Sequence, residues 1–110
     1  LKIKNLTNEV KYINWNSSSL SYNDFTSRVM TGNDRISNIN TVVPNTAVLP
    51  NSTITVNIIP ADAIDIQIYP AATYVNVEPS FEDAKEVTLL MSYSGKDINN
   101  LEQEIYLFKF

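Results

Sequence analysis

The stretch INWNSSSLSY, residues 13–22, holds the chain's only tryptophan, Trp15, between two asparagines and ahead of three serines. Together with the residues before it, this stretch alternates in character, so that Ile13 and Trp15 share one face. A period of two indicates a half-buried β-strand. We therefore predict a strand that ends at Trp15, a polar turn at the serines and a second strand that begins near Leu20.

Two interpretations of Trp15 differ in what they imply for function. Large aromatic side chains contribute most of the buried area of a core, which favours Trp15 as a core anchor. The alternative is an exposed platform on which a ligand stacks.

The same period of two recurs along the chain, in segments rich in β-branched and aromatic residues. Prolines bound these segments and do not interrupt them. With 110 residues, the pattern predicts a single domain, 1–110, that is all-β: an immunoglobulin-like antiparallel β-sandwich of about seven to nine strands. The clearest segments are LKIKNL (1–6), TITVNII (53–59), IDIQIY (64–69), EVTLLMSY (86–93) and EIYLFKF (104–110).

Turn residues separate the predicted strands. LPNST (49–53) places a proline and an asparagine at a turn, and SGKDINN (94–100) predicts the loop of a hairpin. PSFEDAKEV (79–87) could form one helical turn after Ser80, with acidic residues near its start.

The composition excludes several kinds of chemistry. The chain has no cysteine and no histidine, which removes thiol catalysis, thiolate metal sites and the commonest general base. The eight lysines and arginines are scattered and the net charge is −4, so nucleic acid is not an expected partner. No phosphate-binding glycine motif or serine-nucleophile motif is present. We therefore predict that the chain is not an enzyme and needs no cofactor.

Four stretches, in this order, resemble a family of small bacterial lipoproteins. They are IKNLTNEVKYINWNSSSL (3–20), TSRVMTG (26–32), VLPNSTITVNIIPADAI (48–64) and EIYLFKF (104–110). The resemblance implies a lipidated signal peptide that precedes one immunoglobulin-like sandwich. It implies no catalytic residue, because the family has no assigned activity.

The chain departs from this family in two places. LPN (49–51) stands where the family has a double proline, and the cysteine that would carry the lipid is not in this chain. Leu1 falls inside a strand pattern, so we expect a mature or trimmed form whose targeting peptide lies outside the sequence.

The densest group of carboxylates is a candidate calcium site. Calcium takes six to eight oxygen ligands, but the spacing here does not match an EF-hand. The alternative is a solvated acidic surface. The group comprises Asp62, Asp65, Glu78, Glu82, Asp83 and Glu86.

Aromatic residues lie close to the same region. Tyr69, Tyr74 and Phe81 flank two prolines, and exposed aromatics beside polar residues suit a carbohydrate or protein contact. The alternative is that they cover an open end of the sandwich. With Asp62 and Asp65, these three residues form the predicted contact set.

Arg28 and Arg35 are the chain's only arginines. They could grip an anion, or each could pair with Asp24, Asp34 or another surface acid. The ion pair is favoured, since surface arginines are usually paired.

The segment EIYLFKF (104–110) is apolar on both faces. This pattern is typical of a central strand covered on both sides, or of an edge strand covered by a second copy of the chain.

Together with the missing catalytic groups, the resemblance to the lipoprotein family implies a non-catalytic, extracytoplasmic bacterial domain, the body of a small cell-envelope lipoprotein with a structural or protein-contact role. Its partner would be an unknown envelope protein or glycan, and it would meet the membrane only through a lipid anchor ahead of this chain. The alternative is a carbohydrate- or calcium-binding β-sandwich module.

Overall fold

The computed structural model describes residues 1–32, 42–69, 72–77 and 84–110, and for 65–69 and 72–77 it describes the backbone alone. Ten antiparallel strands and one 3₁₀ turn, Ala61–Ala63, lie in these ranges. The strands are β1 (Lys2–Lys4), β2 (Lys11–Tyr22), β3 (Phe25–Thr31), β4 (Thr46–Val48), β5 (Thr53–Thr55), β6 (Ile58–Pro60), β7 (Ile64–Tyr69), β8 (Ala72–Val77), β9 (Glu86–Ser94) and β10 (Glu102–Lys109).

The largest sheet has six strands in the order β10-β9-β2-β3-β6, and β4 pairs with the first part of β2. A two-stranded sheet, β1–β5, packs against this sheet through Leu1, Ile3 and Ile54, which contact the buried core. β7 and β8 form a separate ribbon. The predicted all-β class, with antiparallel sheets packed together, is confirmed.

One predicted strand is divided between the two packed sheets. In TITVNII (53–59), the first residues pair with β1, and the Val56 amide donates to the Leu1 carbonyl at 2.8 Å. The last residues pair with β3, and the Gly32 amide donates to the Asn57 carbonyl at 2.7 Å. The chain changes sheet between Val56 and Asn57, as strands at the corners of packed sheets do. This change accounts for two short strands where the sequence predicted one.

The predicted end of a strand at Trp15 is wrong, because β2 continues without interruption through the serines to Tyr22. Its pairing with β9 shifts register: Asn14 lies opposite Ser92, whereas Ser19 lies opposite Leu90. Residues 15–18 therefore span the place of a single residue on β9 and form an enlarged β-bulge of four residues opposite one. The polar run is an interruption of the ladder rather than a turn.

Serine side chains replace the backbone bonds that the bulge removes. The Ser18 hydroxyl donates to the Asn14 carbonyl at 2.7 Å and accepts from the Ser92 amide at 3.0 Å. The Ser92 hydroxyl donates to the Ser17 carbonyl at 2.7 Å. Ser18 and Ser92 are both buried, and a buried polar group without a partner is costly. The serines therefore allow the bulge to lie inside the sheet.

Trp15 projects from the bulge into the core and is completely buried. Its indole Nε1 donates to the Thr46 hydroxyl at 2.8 Å, which ties β4 to β2. The neighbouring Asn16 side chain both donates to and accepts from the backbone of Val43, at 2.7 and 2.9 Å. The core-anchor interpretation is confirmed, and the ligand-platform interpretation is wrong because no ring surface is accessible.

The turns follow the local chemistry of asparagine and aspartate. Asn23 and Asp24 have φ of 50° and 60° and connect β2 to β3 as a two-residue hairpin loop, a conformation these side chains tolerate. Asn51 has φ 57° in the turn predicted at LPNST. SGKDINN connects β9 to β10, as predicted. The predicted helical turn after Ser80 lies mostly outside the described residues.

We predict that Trp15→Phe lowers the free energy of unfolding by about 2 kcal/mol, because the smaller ring leaves a cavity and the indole hydrogen bond is lost. Urea unfolding followed by circular dichroism measures this loss. The control Thr46→Val removes the acceptor alone and should cost about 1 kcal/mol. Unchanged stability of Trp15→Phe would contradict the anchoring role.

Candidate functional site

Asp62, one of the predicted contact residues, lies in the 3₁₀ turn beside β3. Its Oδ2 accepts from the Arg28 amide at 2.8 Å, and its Oδ1 lies 2.8 Å from Nε and 2.6 Å from Nη2 of the Arg28 guanidinium. The Asp62 amide donates to the Ser27 hydroxyl at 2.9 Å. The Asp62 side chain therefore satisfies the backbone amide of Arg28, the residue of β3 just before the strand pairs with β6.

The hydrogen bonds from Arg28 hold the pKa of Asp62 below its ordinary value, against the opposing effect of burial. The ion-pair interpretation of Arg28 is thus confirmed, with a partner that is neither Asp24 nor Asp34. Any ligand of Asp62 would have to displace this pair. Among the described residues, no group of three or more acidic side chains lies close enough together to hold a metal ion.

Three more of the predicted contact residues, Asp65, Tyr69 and Tyr74, lie in the β7–β8 ribbon. Its register places Asp65 opposite Asn76, Gln67 opposite Tyr74 and Tyr69 opposite Ala72. Because residues two apart on a strand share a face, Asp65, Tyr69 and Tyr74 occupy positions on one face of the ribbon. Phe81, like Asp34 and Arg35, lies outside the described residues. A contact role for this set stays a prediction.

A polar constellation that the sequence analysis did not single out lies across the β9–β10 hairpin. The Glu104 carboxylate accepts one hydrogen bond from the Tyr93 hydroxyl, at 2.9 Å, and another from the Tyr106 hydroxyl. The spacing E-x-Y in β10, with a tyrosine on the paired strand, is the pattern that could have revealed it. All three residues lie on the face of the sheet that β1 partly covers.

The hydrogen bonds from Tyr106 and Tyr93 lower the pKa of Glu104. The bond to Glu104 in turn raises the pKa of Tyr93, and burial, followed by Glu104, raises the pKa of Tyr106 to about 12. At neutral pH this arrangement is an ionised carboxylate held by two neutral phenols. Both carboxylate oxygens are engaged by these phenols, so the arrangement does not present a free general base.

Shallow grooves run along β1, where the two-stranded sheet covers β9 and β10 incompletely. One of about 250 Å³ reaches from Lys4 and Lys11 to Tyr93, Glu104 and Tyr106. Another of about 210 Å³ lies beside it, lined in part by Phe108. Pockets for small molecules usually measure about 300–1,000 Å³, so these grooves are small and open.

The opposite face of β10 carries exposed apolar side chains. Ile105 and Leu107 are 73% and 54% exposed, and Ile105 lies directly opposite the half-buried Leu90 of β9. We name Leu90, Ile105 and Leu107 the outer patch. Isolated apolar residues are normal on a surface, whereas large contiguous apolar patches are typical of contact sites. Of the two predictions for EIYLFKF, the central strand is wrong within the described part of the chain, where β10 is at the edge of its sheet.

The free edge of β10 can be identified from the chain's own hydrogen bonds. The Phe110 amide donates to the Lys85 carbonyl at 2.8 Å and continues the β9–β10 register. In an antiparallel pair, bonded residues alternate along each strand. Even-numbered residues of β10 therefore direct their backbone groups toward β9, and odd-numbered ones, including Ile105 and Leu107, direct theirs away from it.

Comparison of the chain with protein-family models, curated proteins and solved structures finds no match. In the described ranges, the structure has no helix with the length and apolar character that a membrane span requires. Besides the predicted contact set, the described residues offer the β10 edge, the outer patch and the grooves along β1 as candidate functional features.

We predict that Asp62→Ala lowers the free energy of unfolding by about 1 kcal/mol, because it leaves the Arg28 guanidinium unpaired and uncaps the edge of β3. The estimate is small since both side chains are partly exposed and solvent screens the pair. Thermal unfolding with and without millimolar Ca²⁺ measures both the loss of stability and any binding of calcium. The control Asp97→Asn removes a carboxylate charge elsewhere on the surface. A Ca²⁺-dependent rise in Tm that Asp62→Ala abolishes would contradict the structural role.

We predict that Glu104→Gln lowers Tm at pH 7 and that the difference from the wild type shrinks progressively as the pH falls below 4.5. A carboxylate whose folded pKa is depressed stabilises the fold above its ordinary pKa of 4.5. That contribution is lost as the pH falls through the folded pKa. Melting curves from pH 3 to pH 8 measure it, and Glu86→Gln is the control. A pH-independent difference would contradict the effect of the carboxylate charge.

Proposed function

We propose that this chain is a non-catalytic, extracytoplasmic bacterial domain: the body of a small cell-envelope lipoprotein with a structural or protein-contact role. The observation that carries the contact role is the outer patch beside the free edge of β10. Ile105 is 73% exposed in the middle of an otherwise regular strand. An exposed apolar strand at a sheet edge is a site for pairing with another chain.

Support for the envelope lipoprotein comes from the sequence. The stretches IKNLTNEVKYINWNSSSL (3–20) and VLPNSTITVNIIPADAI (48–64) resemble the lipoprotein family described above. The immunoglobulin-like type of sandwich belongs to the same proposal. Antiparallel sheets that pack together around one core support it.

A carbohydrate-binding module is the second candidate, and the groove beside β1 is the observation that favours it. Tyr93 and Tyr106 supply aromatic surface next to the Glu104 carboxylate, and Lys4 and Lys11 supply donors. Sugars are bound by this combination of ring faces and charged hydrogen-bonding groups. The calcium alternative has less support, because Asp62 is engaged by Arg28.

Detergent phase partitioning of the native, full-length protein from its source cells, with mass spectrometry of its N-terminus, tests the proposal. We expect the protein in the detergent phase with a diacylated N-terminal residue, because two acyl chains suffice for stable anchoring. A water-soluble protein with an unmodified N-terminus would contradict the lipoprotein role. In that case glycan screens directed at the Tyr93–Tyr106 groove would come next.

A further inference from the structure

The edges of the six-stranded sheet are not equally protected. At the opposite side β6 has three residues and ends at Pro60, and β4 also has three residues. Short strands and prolines are devices that prevent another strand from adding to an edge. β10 has eight residues, pairs with β9 in an unbroken register and contains no proline or bulge. Such an edge is suited to pairing with a further strand.

The outward-directed backbone groups of β10 belong to the residues whose side chains form one face. These residues are Gln103, Ile105, Leu107 and Lys109, so the order along the strand is polar, apolar, apolar, polar. This order is the same in both directions. A strand that pairs antiparallel with its own copy about a twofold axis needs this symmetry.

We propose that a second copy of this chain pairs its β10 antiparallel with β10 of the first, about a twofold axis at Tyr106. In this register Ile105 faces the partner's Leu107, and Gln103 faces the partner's Lys109. A shift by two residues in either direction leaves Ile105 or Leu107 opposite a polar residue. The axis at Tyr106 is therefore the register that pairs every apolar residue of this face with an apolar one.

The charges of β10 favour the same orientation. Glu102 and Glu104 lie near the start of the strand and Lys109 lies at its end. In a parallel, in-register pair, each of these charged residues would lie opposite the same residue of the partner. Like charges directly opposite each other destabilise a sheet. The antiparallel pair about Tyr106 places Glu104 opposite the partner's Phe108 and sets no like charges opposite each other. The partner that suits this edge is thus a copy of the chain itself.

The size of the contact sets its expected strength. One added strand and the side chains beside it bury less than the roughly 800 Å² per partner of a standard interface. We therefore expect a reversible dimer whose population rises over about 1–100 µM, rather than a permanent one.

Sedimentation velocity of the purified 110-residue protein over that range tests the dimer. We expect the wild type to shift from monomer to dimer, and Leu107→Lys to lose at least ten-fold in association, because it places a charge opposite the partner's Ile105. The control Leu49→Lys makes the same change at a side chain that is 62% exposed and outside β10. It should dimerise like the wild type. A wild type that stays monomeric at 100 µM would overturn the proposal.

Single cysteines test the register, and the chain has no cysteine of its own to interfere. In the proposed dimer Tyr106→Cys faces its own copy and should form a disulfide on mild oxidation. Ile105→Cys and Leu107→Cys should form it at least ten-fold more slowly. Cross-linking through residue 105 or 107 in preference to 106 would overturn the axis at Tyr106.

This inference rests on the proposed contact role, but the two fail separately. A dimer with an unmodified N-terminus in the native protein would overturn the lipoprotein proposal and leave the β10 pairing intact. A diacylated protein whose 110-residue domain stays monomeric would do the reverse.

Discussion

The bulge in β2 is the constraint on which the rest of the structure depends. β2 pairs with β3, β4 and β9, so any break in it would separate the sheet into parts. Residues 15–18 leave the ladder, and Ser18 and Ser92 restore the lost hydrogen bonds with their hydroxyls. Trp15 keeps the core face that alternation gives Ile13, and the bulge returns Leu20 and Tyr22 to that same face while the strand continues.

Asparagine side chains also form hydrogen bonds with backbone groups. Asn16 forms two hydrogen bonds with the backbone of Val43, as a neighbouring strand would. Asn5 is buried, and its amide donates to the carbonyls of Val48 and Glu9 while its Oδ1 accepts from Thr7. These side chains substitute for missing strands and fasten irregular segments to the sheet. The abundance of asparagine and serine therefore has a structural use in this fold.

The period of two was sufficient to predict the class of the fold, because alternation reports directly which side chains are buried. It placed Trp15 in the core and the β9–β10 hairpin correctly. It failed at the serines, since a polar run looks the same in a bulge as in a turn, and the difference depends on Ser92, which lies more than seventy residues away. It also missed the Tyr93–Glu104–Tyr106 arrangement, because a predicted hairpin loop does not give the register that brings Tyr93 near Glu104. Long-range pairing is the information that a local pattern lacks.

The distribution of hydrogen-bonding groups distinguishes the edge of β10 from the rest of the described structure. Among the described residues, every buried side-chain nitrogen or oxygen has a hydrogen-bond partner, and both Asp62 and Glu104 are engaged by neighbouring side chains. The backbone of β10 is different, because Ile105 and Leu107 direct amide and carbonyl groups to an edge where no described strand lies. Water can form hydrogen bonds with those backbone groups, but it leaves the apolar side chains of Ile105 and Leu107 exposed. An added strand would satisfy the backbone groups and cover the apolar side chains at once, which supports the proposal that the edge of β10 pairs with another chain.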